Sequence, residues 1–280
     1  AALGTGPVTL AGGAIATTVD ASLNYTTTTS GAVVIDGPAT LDVAAGATLT
    51  VGRVTTTAPS SANLVTKTGP GTLRLASNAN ATTVAGGYRV AGGTLLYNTT
   101  SNAAAGVGPV ILDGGDLVLS KGPLSDGTYS GLTLPALQLL QDATLTLDPN
   151  PDAASGNNTN SFTQFTTAGS RSLRVIKGPN ARSSADTPGY LDPVLNLQGG
   201  VLTGTTTLEV GADASVNLPA ASGSGAALIK TGAGRLALGS VTVGETVTPT
   251  TYSGPTTVLA GTLAPSGAHA SSFTVGEGAA

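Results

Sequence analysis

The stretch Leu41-Asp42-Val43-Ala44-Ala45-Gly46-Ala47-Thr48-Leu49-Thr50-Val51 decides the fold. It reads as an apolar–polar–apolar triplet, a turn containing glycine, and a second triplet. The unit recurs as Leu208-Glu209-Val210, then Gly211-Ala212-Asp213-Ala214, then Val216-Asn217-Leu218. It begins once more at Phe273-Thr274-Val275, followed by Gly276-Glu277-Gly278-Ala279-Ala280. Further triplets stand at Leu73-Arg74-Leu75, Leu117-Val118-Leu119, Leu145-Thr146-Leu147, Leu195-Asn196-Leu197, Leu236-Ala237-Leu238 and Val241-Thr242-Val243. Alternation with period two means strands with one buried face. Leu and Val point inward, while Asp42, Thr50, Arg74, Thr146, Asn196, Glu209 and Asn217 point outward. Glycine stands where the chain must turn with positive φ. No window holds a long 3.6-residue period. The segment from Pro135 to Ala143 reads equally as a short helix or a strand.

Composition points the same way. The 280 residues are 40 % hydrophobic but only 9 % charged and 3 % aromatic, with 40 glycines. So few charges argue against a salt-bridged helical protein. So few aromatic rings argue against a stacking platform for bases. The chain is nevertheless too apolar to be disordered. A net charge of −4 with no basic run makes nucleic acid and anionic membrane surfaces poor partners. No apolar run is long enough to span a membrane as a helix. The absence of cysteine excludes disulfides and thiolate chemistry. The opening Ala1-Ala2-Leu3, without Met, reads as a mature secreted chain, with a piece of a longer protein as the alternative.

A β-sandwich would need tight hairpins and bulky inward residues from two sheets. Here the inward residues are small aliphatics in short runs. One strand buries two or three of them, each contributing roughly 1.5–3 kcal/mol. Ordering a coil of about 20–25 residues costs about 1–2 kcal/mol per residue. No coil stands alone, so neighbours must stack. The expected architecture is all-β, a single-stranded parallel β-helix (β-solenoid) continuous over residues 1–280. Segments 148–170 and 178–193 break the rhythm and are expected to be loops projecting from the rod. Insertions in solenoids gather on one face and often carry binding.

Two segments match each other. Leu64-Val65-Thr66-Lys67-Thr68-Gly69-Pro70-Gly71-Thr72-Leu73-Arg74-Leu75 leads to Tyr88, Val90 and Ala91-Gly92-Gly93-Thr94-Leu95. Leu228-Ile229-Lys230-Thr231-Gly232-Ala233-Gly234-Arg235-Leu236-Ala237-Leu238 leads to Tyr252-Ser253-Gly254-Pro255-Thr256-Thr257-Val258 and Ala260-Gly261-Thr262-Leu263. The pair resembles the autotransporter passenger-associated strand repeat. That repeat runs apolar-Lys-Thr-Gly-x-Gly-Thr-Leu-x-Leu, then Tyr-x-Gly-x-Thr-x-Val, then x-x-Gly-x-Leu. The first copy departs from it, with Gly86-Gly87-Tyr88-Arg89-Val90 in place of the Tyr-x-Gly-x-Thr run. The two lysines lie 230 − 67 = 163 residues apart, so the repeats between them are expected to have drifted or to belong to variant rungs. The resemblance implies a right-handed parallel β-helix, extracellular or on the cell surface of a Gram-negative-type bacterium. It also implies an adhesin or a scaffold more often than an enzyme.

The chemistry-bearing residues are sparse. Glycoside hydrolysis on a β-helix needs two carboxyls facing one cleft, and the 15 acidic residues are scattered singly. The Asn-Thr-Asp, Asp-Asp and Gly-His-Gly signatures of pectinase-type β-helices are absent. A carbohydrate-active β-helix enzyme is therefore the third reading. The one histidine, His269, reads as a surface turn residue rather than part of a triad. Asp113-Gly114-Gly115-Asp116, and Asp152 with Asn157, Asn158 and Asn160, offer oxygens to Ca²⁺, but turn chemistry explains them more simply. No catalytic, cofactor-binding or metal residue is assigned, and no cofactor is expected.

The ends carry the functional expectation. Strand-like Val8-Thr9-Leu10 begins almost at once, and the last triplet lacks its partner. Uncovered end coils are sticky. The principal reading is a structural subunit of an extracellular fibre or surface scaffold. Its partner is another copy of itself, stacked head-to-tail with strand complementation. Leu3, Val8 and Leu10 would meet Phe273, Val275, Ala279 and Ala280 of the next copy. The alternative is the passenger stalk of an autotransporter adhesin. Cell-surface or matrix polysaccharide is a further candidate partner.

Overall fold

Strand follows turn follows strand, as the triplets require. A computed structural model describes residues 8–23, 33–56, 58, 60–76, 84–99, 108–121, 131–148, 159–181, 192–239, 250–267 and 269–279. No helix occurs among them. The strands stack in parallel into an all-β solenoid. Sheet I runs along a path of eleven strands, from Ala14–Thr17 to Thr262–Pro265. Sheet II has eleven strands, from Ala21–Leu23 to Phe273–Val275. Sheet III holds three: Val8–Leu10, Val33–Ile35 and Val54–Thr56. The Pro135 to Ala143 segment holds no helix: strand Thr133–Leu139 pairs with the coils on either side, and the chain then turns at 140–142.

Register stacks like on like. Leu49, Leu73, Leu95, Leu117, Leu145, Val175 and Val210 form one inward column of sheet II, each of them no more than 1 % exposed. The matching column of sheet I reads Ile15, Leu41, Lys67, Val90, Leu112 and Leu139. Successive members from Leu41 onward lie 26, 23, 22 and 27 residues apart (67 − 41 = 26, and so on). Coil length therefore varies while the ladder stays regular. Tyr88 and Tyr97 are buried in the interior and meet edge-to-face, with ring centroids 6.2 Å apart.

The solenoid has two corners. At corner 1 the chain passes from sheet I to sheet II, and at corner 2 it returns. From residue 44 to residue 170 corner 1 is closed by short turns, 44–47, 69–71, 91–93, 113–115, 140–142 and 168–170. The long connections, 76–87, 100–109, 122–132, 148–158 and 178–193, then leave from corner 2. Further along, the pattern reverses. Corner 2 is closed by the short turns 211–214, 232–234 and 259–261, and corner 1 takes the wider connections.

The handover is built by strand Thr159–Thr167. Its first half pairs with Val194–Leu197 and its second half with Gly200–Val201. Gly199, at φ +54°, lies just before the second of these strands, so one straight strand is followed by two walls. The new wall continues through Ala221–Ser222 and Thr251, whose N–H donates to the Ala221 oxygen at 2.7 Å. It continues to the Thr250–His269 bridge. Sheet III, the third wall of the first coils, lies at corner 2. The third wall of the last coils lies at corner 1.

The expected loop at 148–170 is corrected by this strand. Phe162 and Phe165 of Thr159–Thr167 are fully buried. The asparagine-rich approach looked like a turn, and two consecutive exposed residues, Thr163 and Gln164, break the period of two. Residues 149–158 and 182–191 lie outside the described residues, so the projecting loops expected there are not described.

Candidate functional site

Period two places Val65 and Leu228 inward, so the residues two places on also point inward. Those residues are Lys67 and Lys230. Both are 0 % exposed. Lys67 stands between Leu41 and Val90 in its column, and Lys230 between Leu208 and Val258. A buried ammonium is costly unless its donors are satisfied. Here all three are satisfied. Lys67 Nζ donates to the carbonyl oxygens of Thr68 (2.7 Å), Gly69 (2.7 Å) and Gly92 (3.1 Å). Lys230 Nζ donates to those of Thr231 (2.8 Å), Gly232 (2.6 Å) and Ala260 (3.0 Å). Burial pushes both ammonium groups down to about 8, and the Asp42 carboxylate opposes the shift at Lys67.

Glycine makes the cage. Gly93 and Gly261 sit at φ +62° and +73°. A Cβ on Gly93 would lie 2.3 Å from the Gly71 oxygen. On Gly261 it would lie 2.3 Å from the Gly232 oxygen and 2.8 Å from Lys230 Nζ. Only glycine lets the upper turn settle onto the lower one closely enough for the lysine to reach both.

The two copies superpose residue for residue around this cage. Val65 pairs with Tyr88 and Lys67 with Val90, just as Leu228 pairs with Thr256 and Lys230 with Val258. By that register Gly86 holds the place of Gly254, and Tyr88 holds that of Thr256. A Cβ on either glycine would strike the backbone below, 2.5 Å from the carbonyl carbon of Asn63 and 2.1 Å from the oxygen of Ala226. Val84 fills the place of Tyr252, and both are buried. The first copy thus keeps the motif glycine and brings its tyrosine ring in from a different position. In the second copy the Tyr252 hydroxyl bonds to Thr256 Oγ1, which in turn lies 3.1 Å from Ser271 Oγ.

One difference between the copies concerns the whole rod. The Lys67 turn closes corner 1, and the Lys230 turn closes corner 2. The structure places the two copies on opposite edges.

The scattered carboxylates brace coil to coil. Asp20, Asp116, Asp142 and Asp148 accept backbone N–H groups of Thr48, Thr144, Ser172 and Asn180 at 2.7–2.8 Å, each from the following coil. Arg89 pairs with Asp113, and Arg174 Nε lies 3.0 Å from Glu209 Oε1. Of the candidate Ca²⁺ ligands, Asp113 and Asp116 are thus engaged with Arg89 and with the Thr144 amide, and Asn160 is buried, its Oδ1 accepting the Leu132 N–H at 2.9 Å. No group of three or more metal-ligating side chains occurs among the described residues. Asp152, Asn157 and Asn158 lie outside them. His269 is not a surface turn residue. It is half-buried, bonds to Thr250 Oγ1 through Nδ1 and meets Phe273 edge-on, with ring centroids 5.3 Å apart.

The end residues divide. Leu10 is buried and Val8 packs half-buried against the core. Phe273 and Val275 are 39 % and 55 % exposed, and Ala279 is half-buried. Leu3 and Ala280 lie outside the described residues. Among the described residues, the first strand, Val8–Leu10, and the last, Phe273–Val275, belong to different sheets and are not paired.

The buried lysines went unread as site residues in the sequence, where they served only as motif markers. The signal was available, since a charged residue at an inward phase demands a cage of acceptors.

Comparison with known proteins bears on the same residues. No curated protein and no solved structure matches the chain. Residues 65–96 and 228–264 match the passenger-associated-transport-repeat family. Each match spans two coils and encloses one lysine cage, so the chain is a parallel β-solenoid with two segments that match the passenger-associated-transport-repeat family, one at each corner.

Proposed function

We propose that the chain is a structural, non-enzymatic part of an autotransporter-type passenger, a stalk held at or released from the surface of a Gram-negative-type bacterium. The observation that carries this reading is the presence of both transport repeats in one uninterrupted parallel ladder. The use of the acidic side chains supports it. Those braced between coils or paired with arginine hold the rod together, and they do not converge on a cleft. Protease shaving of intact producing cells tests the proposal. Loss of the protein from intact cells, or its recovery from the medium, is expected. Protection until the cells are lysed would refute it.

A second reading is head-to-tail stacking of copies. The exposure of Phe273 and Val275 on the last strand of sheet II favours it. Stacking with sheets I and II aligned would, however, set third walls on opposite sides of the seam, which is why the stalk reading stands first. Electron microscopy of native material separates the two: fibres whose assembly is lost with residues 1–10 support stacking, and isolated short rods remove it.

A further inference from the structure

In each copy of the repeat, two of the three ammonium bonds close the lysine's own turn. The third reaches into the next coil, to the Gly92 oxygen in one copy and the Ala260 oxygen in the other. The next coil's glycine then sits directly over the lower turn, with Gly93 above Gly71 and Gly261 above Gly232. We propose that the repeat is a two-coil corner clamp, pinned by the buried ammonium, that holds either corner of the rod and leaves the opposite corner free to carry a connection of any length.

Three observations carry this inference. The clamp does not depend on which sheet precedes it, since Lys67 enters its turn from sheet I and Lys230 from sheet II. It does not depend on the connection between its halves either. That connection holds 88 − 75 − 1 = 12 residues in the first copy and 256 − 238 − 1 = 17 in the second. Finally, it does not depend on a carboxylate partner. Asp42 lies beside Lys67, but Glu209, the residue in the corresponding register position beside Lys230, pairs with Arg174. The shared element is the set of three backbone carbonyls. Ammonium–carbonyl bonds are charge-assisted and water-excluded here, so they are stronger than neutral turn bonds.

The consequence is a code for placing loops. One clamp stands among the six short turns that close corner 1 between residues 44 and 170, the chain hands over between residues 159 and 226, and the other clamp stands among the three short turns that close corner 2 beyond it. Long connections therefore leave from one edge in the first part of the rod and from the other edge in the last. This reading is independent of where the rod is displayed.

Hydrogen–deuterium exchange on the full chain tests it. Lys230→Met keeps the apolar stem and removes the ammonium. Exchange is expected to accelerate in both turns of the second copy, 232–234 and 259–261, on the order of tenfold or more, the effect of losing at least one charged hydrogen bond from a local opening equilibrium. The turns 69–71 and 91–93 should keep wild-type rates. Lys67→Met should give the mirror result. A short Gly/Ser insertion within 240–249 should leave both second-copy turns protected. Acceleration confined to the lysine's own turn would overturn the clamp, as would an insertion that opens both turns as much as Lys230→Met does. Global unfolding of both lysine variants would also overturn it, because a clamp acts locally.

Discussion

Replacing Gly261 by alanine should be far more damaging than replacing Gly46 by alanine, although the two residues share a φ of +73°. Both substitutions force an L-residue into the left-handed region, which costs about 1–2 kcal/mol. At Gly46 that is the whole cost, because an added Cβ meets nothing within 4 Å. At Gly261 the new Cβ would lie 2.3 Å from the Gly232 oxygen, 2.6 Å from the Gly234 oxygen and 2.8 Å from Lys230 Nζ. Relief requires the upper turn to rise by about 1 Å, to reach an ordinary contact distance. The 3.0 Å bond from Lys230 to the Ala260 oxygen cannot survive that movement. Loss of a hydrogen bond to a charged group costs about 1.5–3 kcal/mol. The expected penalty is thus roughly 3–5 kcal/mol for Gly261→Ala against roughly 1–2 kcal/mol for Gly46→Ala. Urea unfolding followed by far-ultraviolet circular dichroism measures both. Repeat rods can unfold in more than one step, so the transition that includes residues 228–264 should be identified by exchange or fluorescence labelling. Equal penalties at the two glycines, within about 1 kcal/mol, would refute the argument from close approach, since propensity alone predicts equality.

Other outcomes follow from the same interior. Between pH 8 and 10.5 the two buried lysines lose protons in the folded state before the unfolded chain does. The unfolded state then binds more protons, so stability rises with pH over that window. Tyr88 and Tyr97 are pushed up by burial, so above about pH 10 the unfolded chain ionises first and stability falls again. A melting temperature that declines steadily from pH 7 to 10 would contradict this, and the Lys67→Met/Lys230→Met double variant should lose the rise. Asp142→Ala should cost about 0.5–2 kcal/mol by orphaning the Ser172 amide, as a lost cap does, while Asp142→Asn should recover most of it. Leu145→Ala, in the middle of the sheet II column, should cost about 2–5 kcal/mol, against less than about 0.5 kcal/mol for Thr146→Ala on the outer face; equal losses at the two positions would show that the column is not the core.

The strand alternation was readable residue by residue. Leu41, Leu49, Leu73, Leu117, Leu145, Leu195, Leu208, Val216 and Leu236 all lie inside, as the triplets require. The repeats were readable too, because a lysine followed by Thr-Gly and a second glycine is rare by chance. The buried state of Lys67 and Lys230 was implied by phase but obscured by the habit of placing charge outside. Strand Thr159–Thr167 was missed because its phase slips at Thr163 and Gln164, where the rod changes corner. The change of corner itself was not legible. A short glycine turn has the same sequence whether it joins sheet I to sheet II or sheet II to sheet I. Only the ladder of partners tells them apart, and that ladder is a long-range property. Likewise the roles of Asp20, Asp116 and Asp142 depend on amides 28 to 30 residues away, beyond any local window.

Coil length in this rod ranges from 22 to 27 residues over the stretch from Leu41 to Leu139 alone, yet every coil adds one strand to each long sheet. Height is therefore counted in rungs of about 4.8 Å, and residues spent on connections add girth without adding reach. A lineage can lengthen or shorten those connections freely and leave the distance spanned by the rod unchanged. To reach further it must gain a whole coil, so the molecule behaves as a ruler whose graduations are indifferent to how much sequence is written between them.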